Sequence, residues 1–296
     1  MGQDVGIVSG SSMVEGQAVI SRLPGAVLRA LLVVWMVATP ALLLPELGPD
    51  ATEVVALIAI FAAVITCVEY ASNYPSLIEF RHAPPFNRVR FISLFITVFL
   101  LTVISRGTYE PTAITEFVTA IGTVIGHAID FPYSPVRNMV LTLPPDADVE
   151  LINSVRTAAG LSYLTSLVSL AAFVIVIRIF QWPGRYGTFN VWINLPTFDP
   201  TAGGDVVERL QRDARFNVAL GFLLPFVIPA VLKVASETFD PISLSSPQTL
   251  IWMMTAWAFL PSSLFMRGIA MGRVAQMIED KRRQRYAEFG EEGALA

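Results

Sequence analysis

Leu161–Trp182 reads LSYLTSLVSLAAFVIVIRIFQW. Its first 17 residues, Leu161 to Ile177, carry no charge, and about 20 mostly apolar residues suffice to carry a helix across a ~30 Å hydrocarbon core. Nothing in the stretch alternates with the two-residue period of a strand, so it reads as a membrane-crossing helix. Five further stretches qualify, at 26–45, 54–72, 89–105, 216–236 and 249–271, which with 161–182 makes six. The whole composition agrees. Hydrophobic residues are 54% and charged residues only 15%, against about 25% charged in soluble domains. Such a chain lacks the polar surface to cover a water-soluble globule, and its partner solvent is the lipid bilayer. The fold expected is an all-α polytopic membrane protein.

A seventh candidate, 112–131, is weaker, with an apolar centre of 13 residues, Phe117 to Ile129, interrupted by His127. The tendency of Lys and Arg to stay on the inner side arbitrates. Six spans with an inner N-terminus leave only Arg106, Arg137, Arg156 and Lys233 outside, and the other 16 of the 20 basic residues inside. Letting 112–131 cross would flip everything after it and leave 8 inside against 12. The expected topology is therefore six spans with both termini inside and 112–131 as an outer interfacial or re-entrant helix. Before the first span lies 1–23, expected as a flexible cytoplasmic leader. Its single basic residue, Arg22, and the length of the run that follows make it unlike a cleaved signal peptide. The membrane domain covers 24–272, and 273–296 is expected as a basic helical tail. Within the inner section 183–215, Gly203-Gly204-Asp205 signals a helix start, with Asp205 and Glu208 spaced as a capping pair. Val207, Leu210 and Ala214 share a face, so an inner amphipathic helix is expected there.

No span carries an ionisable group at its midplane. Arg29 and Glu69 sit near the inner ends of the first two spans at matched depth, and a buried Arg29–Glu69 pair is expected. Midplane features are hydroxyls and prolines. Ser162, Ser166 and Ser169 form an i, i+4, i+7 stripe, Pro225 and Pro229 share a face, and Pro261-Ser262-Ser263 interrupts the last span. Prolines free backbone carbonyls, so this set describes either a small-solute pathway or close helix packing. Gly122-xxx-Gly126 and Gly268-xxx-Gly272 fit close packing as well. The densest polar cluster is the inner loop YPSLIEFRHAPPFNRVR, Tyr74 to Arg90. Its Glu79, Arg81, His82, Arg88 and Arg90 form a candidate docking loop for a protein partner or for anionic headgroups.

Catalytic signatures are missing. The sequence has no HExxH, no Walker A loop and no CxxC, and its one cysteine, Cys67, excludes an internal disulfide. His82 and His127 fall on opposite sides and cannot share a transmembrane haem. Asp146, Asp148 and Glu150 resemble the start of a calcium loop but lack its Gly and distal Glu, and read instead as the start of a helix. No cofactor, metal or nucleic-acid partner is expected. Two functional readings remain. The first is a non-enzymatic accessory, assembly or interaction subunit of a bacterial-type inner-membrane complex, docking through the 73–90 loop and the tail after Arg273. The second is a small-solute or ion transporter using spans four to six.

Overall fold

In the computed structural model the chain is described over residues 5–45, 49–183, 189–238 and 244–295. These fold into nine helices and no strand among the described residues: α1 (Val5–Leu43), α2 (Pro49–Ala71), α3 (Phe86–Gly107), α4 (Ala113–Ile129), α5 (Pro135–Val140), α6 (Val149–Ile179), α7 (Val191–Asn194), α8 (Val206–Thr238) and α9 (Pro247–Leu295). Six of them, α1, α2, α3, α6, α8 and α9, are long and apolar enough to cross a membrane. The protein is a multi-pass membrane protein. Candidate segment 112–131 is the short apolar helix α4 of 17 residues.

The chain divides into two compact units, 1–82 with 190–199, and 83–189 with 200–296. The first unit contains the α1–α2 pair and, at its end, the segment 72–82 with α7. Its second helix is little covered by protein. Only 6% of the most apolar window of α2 is buried, and Leu57, Phe61 and Val68 stand exposed. The leader expected to be flexible is helical from Val5 and runs into the first span without a break. Residues 13–23, MVEGQAVISRL, include strong helix formers and only one glycine, so continuation costs little.

The second unit packs α3, α6, α8 and α9 with α4 and α5. Glycines set the close approaches. A Cβ built on Gly160 of α6 would lie 2.5 Å from Gly126 Cα of α4, and one on Gly126 would lie 2.8 Å from the Arg156 carbonyl oxygen. Backbone meets backbone there, as the Gly-xxx-Gly reading anticipates. Asp130, the residue capping the end of α4, ties the same two helices. Its carboxylate receives Arg156 Nε at 2.7 Å, while Arg137 Nε pairs with the other oxygen at 2.7 Å without hydrogen-bond alignment. The outer side of α4 is a stripe of exposed apolar side chains, Ile114, Phe117, Ile121 and Val124.

Helices α8 and α9 run antiparallel. A Cβ on Gly268 would meet the Ala214 carbonyl oxygen at 2.6 Å, and one on Gly221 would meet Pro261 O at 2.8 Å. Gly272, the second member of that motif, is different: its nearest neighbour would be Ala214 Cβ at 3.8 Å, an ordinary contact. The amphipathic segment expected at 205–214 is helical but is not a separate element. It is the first ten residues of the single 33-residue helix α8. Nothing between Ala214 and Asn217 breaks a helix, and Val207, Leu210 and Ala214 are buried, as are Met271, Val274 and Ala275 of α9. Two apolar stripes on packed antiparallel helices have covered each other, leaving no apolar face for the bilayer surface.

Candidate functional site

The proline and hydroxyl residues meet inside the second unit. Pro229 has no N–H to give the carbonyl four residues earlier, which is that of Pro225. The indole of Trp257 takes the vacancy, Nε1 donating to Pro225 O at 3.1 Å. The Trp257 side chain is almost wholly buried, and Tyr163 of α6 stacks on it at 5.9 Å. In α9, Pro261 withholds a donor from the Trp257 carbonyl. The next carbonyl, Ala258 O, accepts from Ser166 Oγ of α6 at 2.9 Å. Ser162 turns back on its own helix, donating to Ala158 O at 2.8 Å. Ser169 is half-buried and Ser263 buried. So one freed carbonyl, that of Pro225, is closed by a named donor, and Ser166 bonds the carbonyl beside the one that Pro261 frees, which is how packed membrane helices absorb prolines.

Three hydroxyls remain open. Ser262 Oγ is buried with no hydrogen-bond partner among the described residues, and so are Thr255 Oγ1 on the same face of α9 and Ser93 Oγ on α3. Buried hydroxyls of this kind are commonly met by water. Ser93 and Thr255 escaped the reading of the sequence, since a lone hydroxyl in an apolar run carries no pattern.

Family models, curated proteins and solved structures were compared with this chain, and none matches. The chemistry of its sites therefore rests on their geometry alone.

In the first unit the expected Arg29–Glu69 pair does not form. The Glu69 carboxylate, buried at the end of α2, accepts instead from the next turn of the chain. Ser76 N–H reaches it at 3.0 Å, Ser76 Oγ at 2.7 Å, Leu77 N–H at 2.9 Å and Ile78 N–H at 3.1 Å. Arg29 lies over the Tyr70 ring at 4.6 Å and donates to Gly25 O. Arg29 thus reaches Tyr70, the residue next to Glu69, but the two side chains point to different neighbours. Arg81 completes the clasp, donating to Glu69 O and, at 2.7 Å, to Ser72 O.

The backbone then turns through Phe80, whose ring is buried and whose φ is +52°. A left-handed phenylalanine is strained and needs its surroundings to hold it. Asn194, at the end of α7, supplies them: Phe80 N–H donates to Asn194 O at 2.6 Å and His82 N–H to Asn194 Oδ1 at 3.0 Å. Thr197 Oγ1 donates to Glu79 at 2.6 Å. Asn194 and Thr197 were not singled out in the sequence, although Asn190 and Asn194 bracketing VWI before Pro196 is a legible short-helix signal.

This clasp changes the view of the docking loop. Glu79 and Arg81 are buried and bonded inside the first unit, to Thr197 and to the carbonyls at the end of α2. Arg90, in the other unit, lies over the Phe86 and Phe259 rings at 5.1 and 5.8 Å. Of the five candidate residues, His82 and Arg88 are the exposed ones. Partial desolvation of the ring, then the cations Arg81, Arg22 and Arg29, push the His82 imidazole below the ordinary histidine range. Its Nε2 is thus free to accept from Arg81 Nε at 3.0 Å. A depressed folded-state value makes this contribution to stability complete above the ordinary value of 6.5 and lost as pH falls through the lower folded value. The protection of the 72–82 amides, taken relative to the intrinsic exchange rate at each pH, is therefore expected to fall on mild acidification. His82→Gln, which keeps an acceptor that does not titrate, should flatten that pH dependence, and an identical profile in the two proteins would show that His82 is not the cause.

Proposed function

We propose that this protein is a non-enzymatic accessory or interaction subunit of a complex in a bacterial-type inner membrane, with both termini and the α8–α9 extension in the cytoplasm. The length of α9 carries the reading. Its 49 residues make a helix about 74 Å long at 1.5 Å per residue, more than twice the ~30 Å hydrocarbon core. Helix α8, with 33 residues, measures about 50 Å. Both overrun the membrane at the same end, because Asp205 at the start of α8 accepts from Arg282 of α9 at 2.8 Å. The result is a two-helix arm that supports itself through its buried stripe. The charge split between loops supports an inner location for this arm.

Its exposed surface carries a cluster of basic residues beside the acids Glu208, Asp280 and Glu288. Arg212, Arg215, Lys281, Arg283 and Arg285 all face solvent. Lys281 lies ten residues beyond the expected end of the last span, a rise of roughly 15 Å, and the ~8 Å screening length at physiological salt leaves anionic lipid little hold on it. A protein partner with an acidic face suits a charge held at that height. Changing Lys281, Arg283 and Arg285 to alanine, while leaving the Arg282–Asp205 bridge, should cut recovery of the partner after mild detergent extraction several-fold. Insertion and thermal stability should stay as they were. Unchanged association after truncation at Arg273, or the lack of any stoichiometric partner, would sink the reading.

The second reading, a small-solute transporter built on α6, α8 and α9, draws on the three unpartnered hydroxyls Ser93, Thr255 and Ser262. If water reaches them, cysteines at Ser166 and Ser262 in a Cys67→Ser background should react with small polar thiol reagents in native membranes. Complete protection at both positions would leave the seam as packing alone.

A further inference from the structure

Three guanidinium groups converge on one short run of backbone in the first unit. Arg22 and Arg29 come from α1, and Arg81 from the turn after α2. Arg81 Nη1 donates to Glu69 O and Ser72 O, Arg29 lies over the Tyr70 ring, and Arg22 Nη1 donates to Asn73 Oδ1 at 3.0 Å. All three cations are thus anchored on residues 69–73. Partial desolvation, then the charge of Arg22, holds the Arg81 guanidinium below its usual range, as like charges at close quarters do. One carboxylate, that of Glu69, lies near enough to act on Arg81, and it is occupied by Ser76, Leu77 and Ile78. Among the described residues no ion pair reaches Arg22, Arg29 or Arg81, so the cluster keeps a surplus of positive charge.

A second feature is independent of the charge. Arg81 is 8% exposed, yet its Nη2 is buried with no hydrogen-bond partner among the described residues. Nη1 is spent on the two carbonyls, and Nε on His82 Nε2 at 3.0 Å. A buried cationic donor without an acceptor costs more than a neutral one, and it is an anomaly unless a ligand meets it. The Nε and Nη2 protons share one edge of the guanidinium, the kind of edge that grips a carboxylate or phosphate with two parallel hydrogen bonds. His82 holds one of those two positions. Its ring is exposed and, with its proton affinity lowered, neutral at pH 7, so an anion can take its place.

The surroundings choose the anion. Leu28 and Leu31 on either side of Arg29 stand exposed, as do Val64 and Val68 on α2. In a protein that crosses the bilayer such side chains face lipid tails, and basic clusters at their edge take lipid headgroups. A phosphate joined to acyl chains matches arginines that border an apolar wall, whereas a free phosphate gains nothing from that wall. A choline headgroup would bring one more cation into the cluster, which favours a headgroup without one. We infer that this end of the α1–α2 pair binds one anionic phospholipid. Its phosphate sits on the Nε–Nη2 edge of Arg81 in place of His82, flanked by Arg22 and Arg29, with its acyl chains on the exposed apolar side chains of α1 and α2. The inference does not depend on the accessory-subunit reading, which rests on α8 and α9 of the other unit.

The test is native mass spectrometry of the full-length protein in a neutral detergent, titrated with dioleoylphosphatidylglycerol and, separately, with dioleoylphosphatidylcholine. One phosphatidylglycerol is expected to bind saturably, at least about tenfold more tightly than phosphatidylcholine, as one charge-assisted hydrogen bond accounts for. Inorganic phosphate in millimolar excess should not displace it. Arg22→Gln and Arg29→Gln should each weaken binding about fivefold, the effect of one basic residue at an anionic headgroup. These are the deciding variants, because Arg81→Gln is itself expected to destabilise the first unit. Arg178→Gln, which removes the same charge from an exposed arginine of α6, should change nothing. His82→Ala, which removes the competing acceptor, should bind at least as tightly as the wild type. Equal affinity for the two lipids, displacement by inorganic phosphate, an equal loss in Arg178→Gln, a folded His82→Ala protein that no longer binds, or wild-type affinity in the Arg22→Gln, Arg29→Gln double variant would overturn the proposal.

Discussion

Gly160→Val is expected to detach α4 from α6, and Gly160→Ala to destabilise the protein measurably on its own. The side chain at this position has nowhere to go, since its first carbon would sit 2.5 Å from Gly126 Cα and 2.8 Å from Gly126 N. Both obstacles are backbone, so no rotamer change relieves them, and the two helices must part by most of an ångström. Forcing one methyl into a packed contact costs about 1–3 kcal/mol, and the alanine variant should fall at the top of that range. Valine adds two methyls and should also break the Asp130–Arg156 bridge four residues away, because Asp130 is carried by the end of α4. Thermal unfolding in detergent measures the first effect. Labelling of a cysteine placed at Thr123, which faces Thr157 of α6 at 3.4 Å, reports the second. Two glycines supply the contrast. Gly203→Ala meets open space and should be neutral. Gly272→Ala meets only Ala214 Cβ at 3.8 Å and should stabilise by up to about 1 kcal/mol through helix propensity. If Gly160→Ala melts with the wild type, α4 does not pack on α6 at this point.

That contrast shows how far a sequence pattern reaches. Six long apolar runs were readable because a span needs only length and composition, and all six are helices. Gly268-xxx-Gly272 and Gly122-xxx-Gly126 were readable as small residues at helical spacing, but which glycine faces backbone depends on the partner helix. The proline seam was half legible. That Pro229 orphans the carbonyl of Pro225 follows from four-residue arithmetic within one helix. That Trp257 supplies the missing donor requires knowing that α8 and α9 are antiparallel and in what register. The sequence reading put a boundary after Arg215, between an amphipathic helix and a span. Backbone continuity ignored it, because polarity decides what a helix faces and not where it stops.

The Glu69 clasp is expected to be the most sensitive polar site of the first unit. Depth along two neighbouring spans placed Arg29 and Glu69 together, but depth fixes only one of the two coordinates on a helix surface. The partners of Glu69 are backbone N–H groups seven to nine residues further on, and no side-chain pattern announces those. Glu69→Gln keeps the shape and removes the charge. It also turns an NH2 toward a set of donors, so at least one of the four bonds becomes a donor facing a donor. Hydrogen bonds to a charged group contribute about 1.5–3 kcal/mol each, and stranding a poorly solvated partner adds to this, so a loss of roughly 3 kcal/mol is expected. Arg81→Gln should cost a similar amount, since it releases Glu69 O and Ser72 O together. Because both changes free the same turn, the double variant should lose clearly less than the sum. Arg29→Gln removes a contact with the Tyr70 ring, worth about 0.5–1 kcal/mol at an exposed site, and should add to Glu69→Gln without coupling. These energies come from equilibrium unfolding of the detergent-solubilised protein. The arrangement described here fails if Arg29 couples to Glu69 and Arg81 does not, for then the carboxylate pairs across α1 and α2 and the 76–78 turn is held by something else.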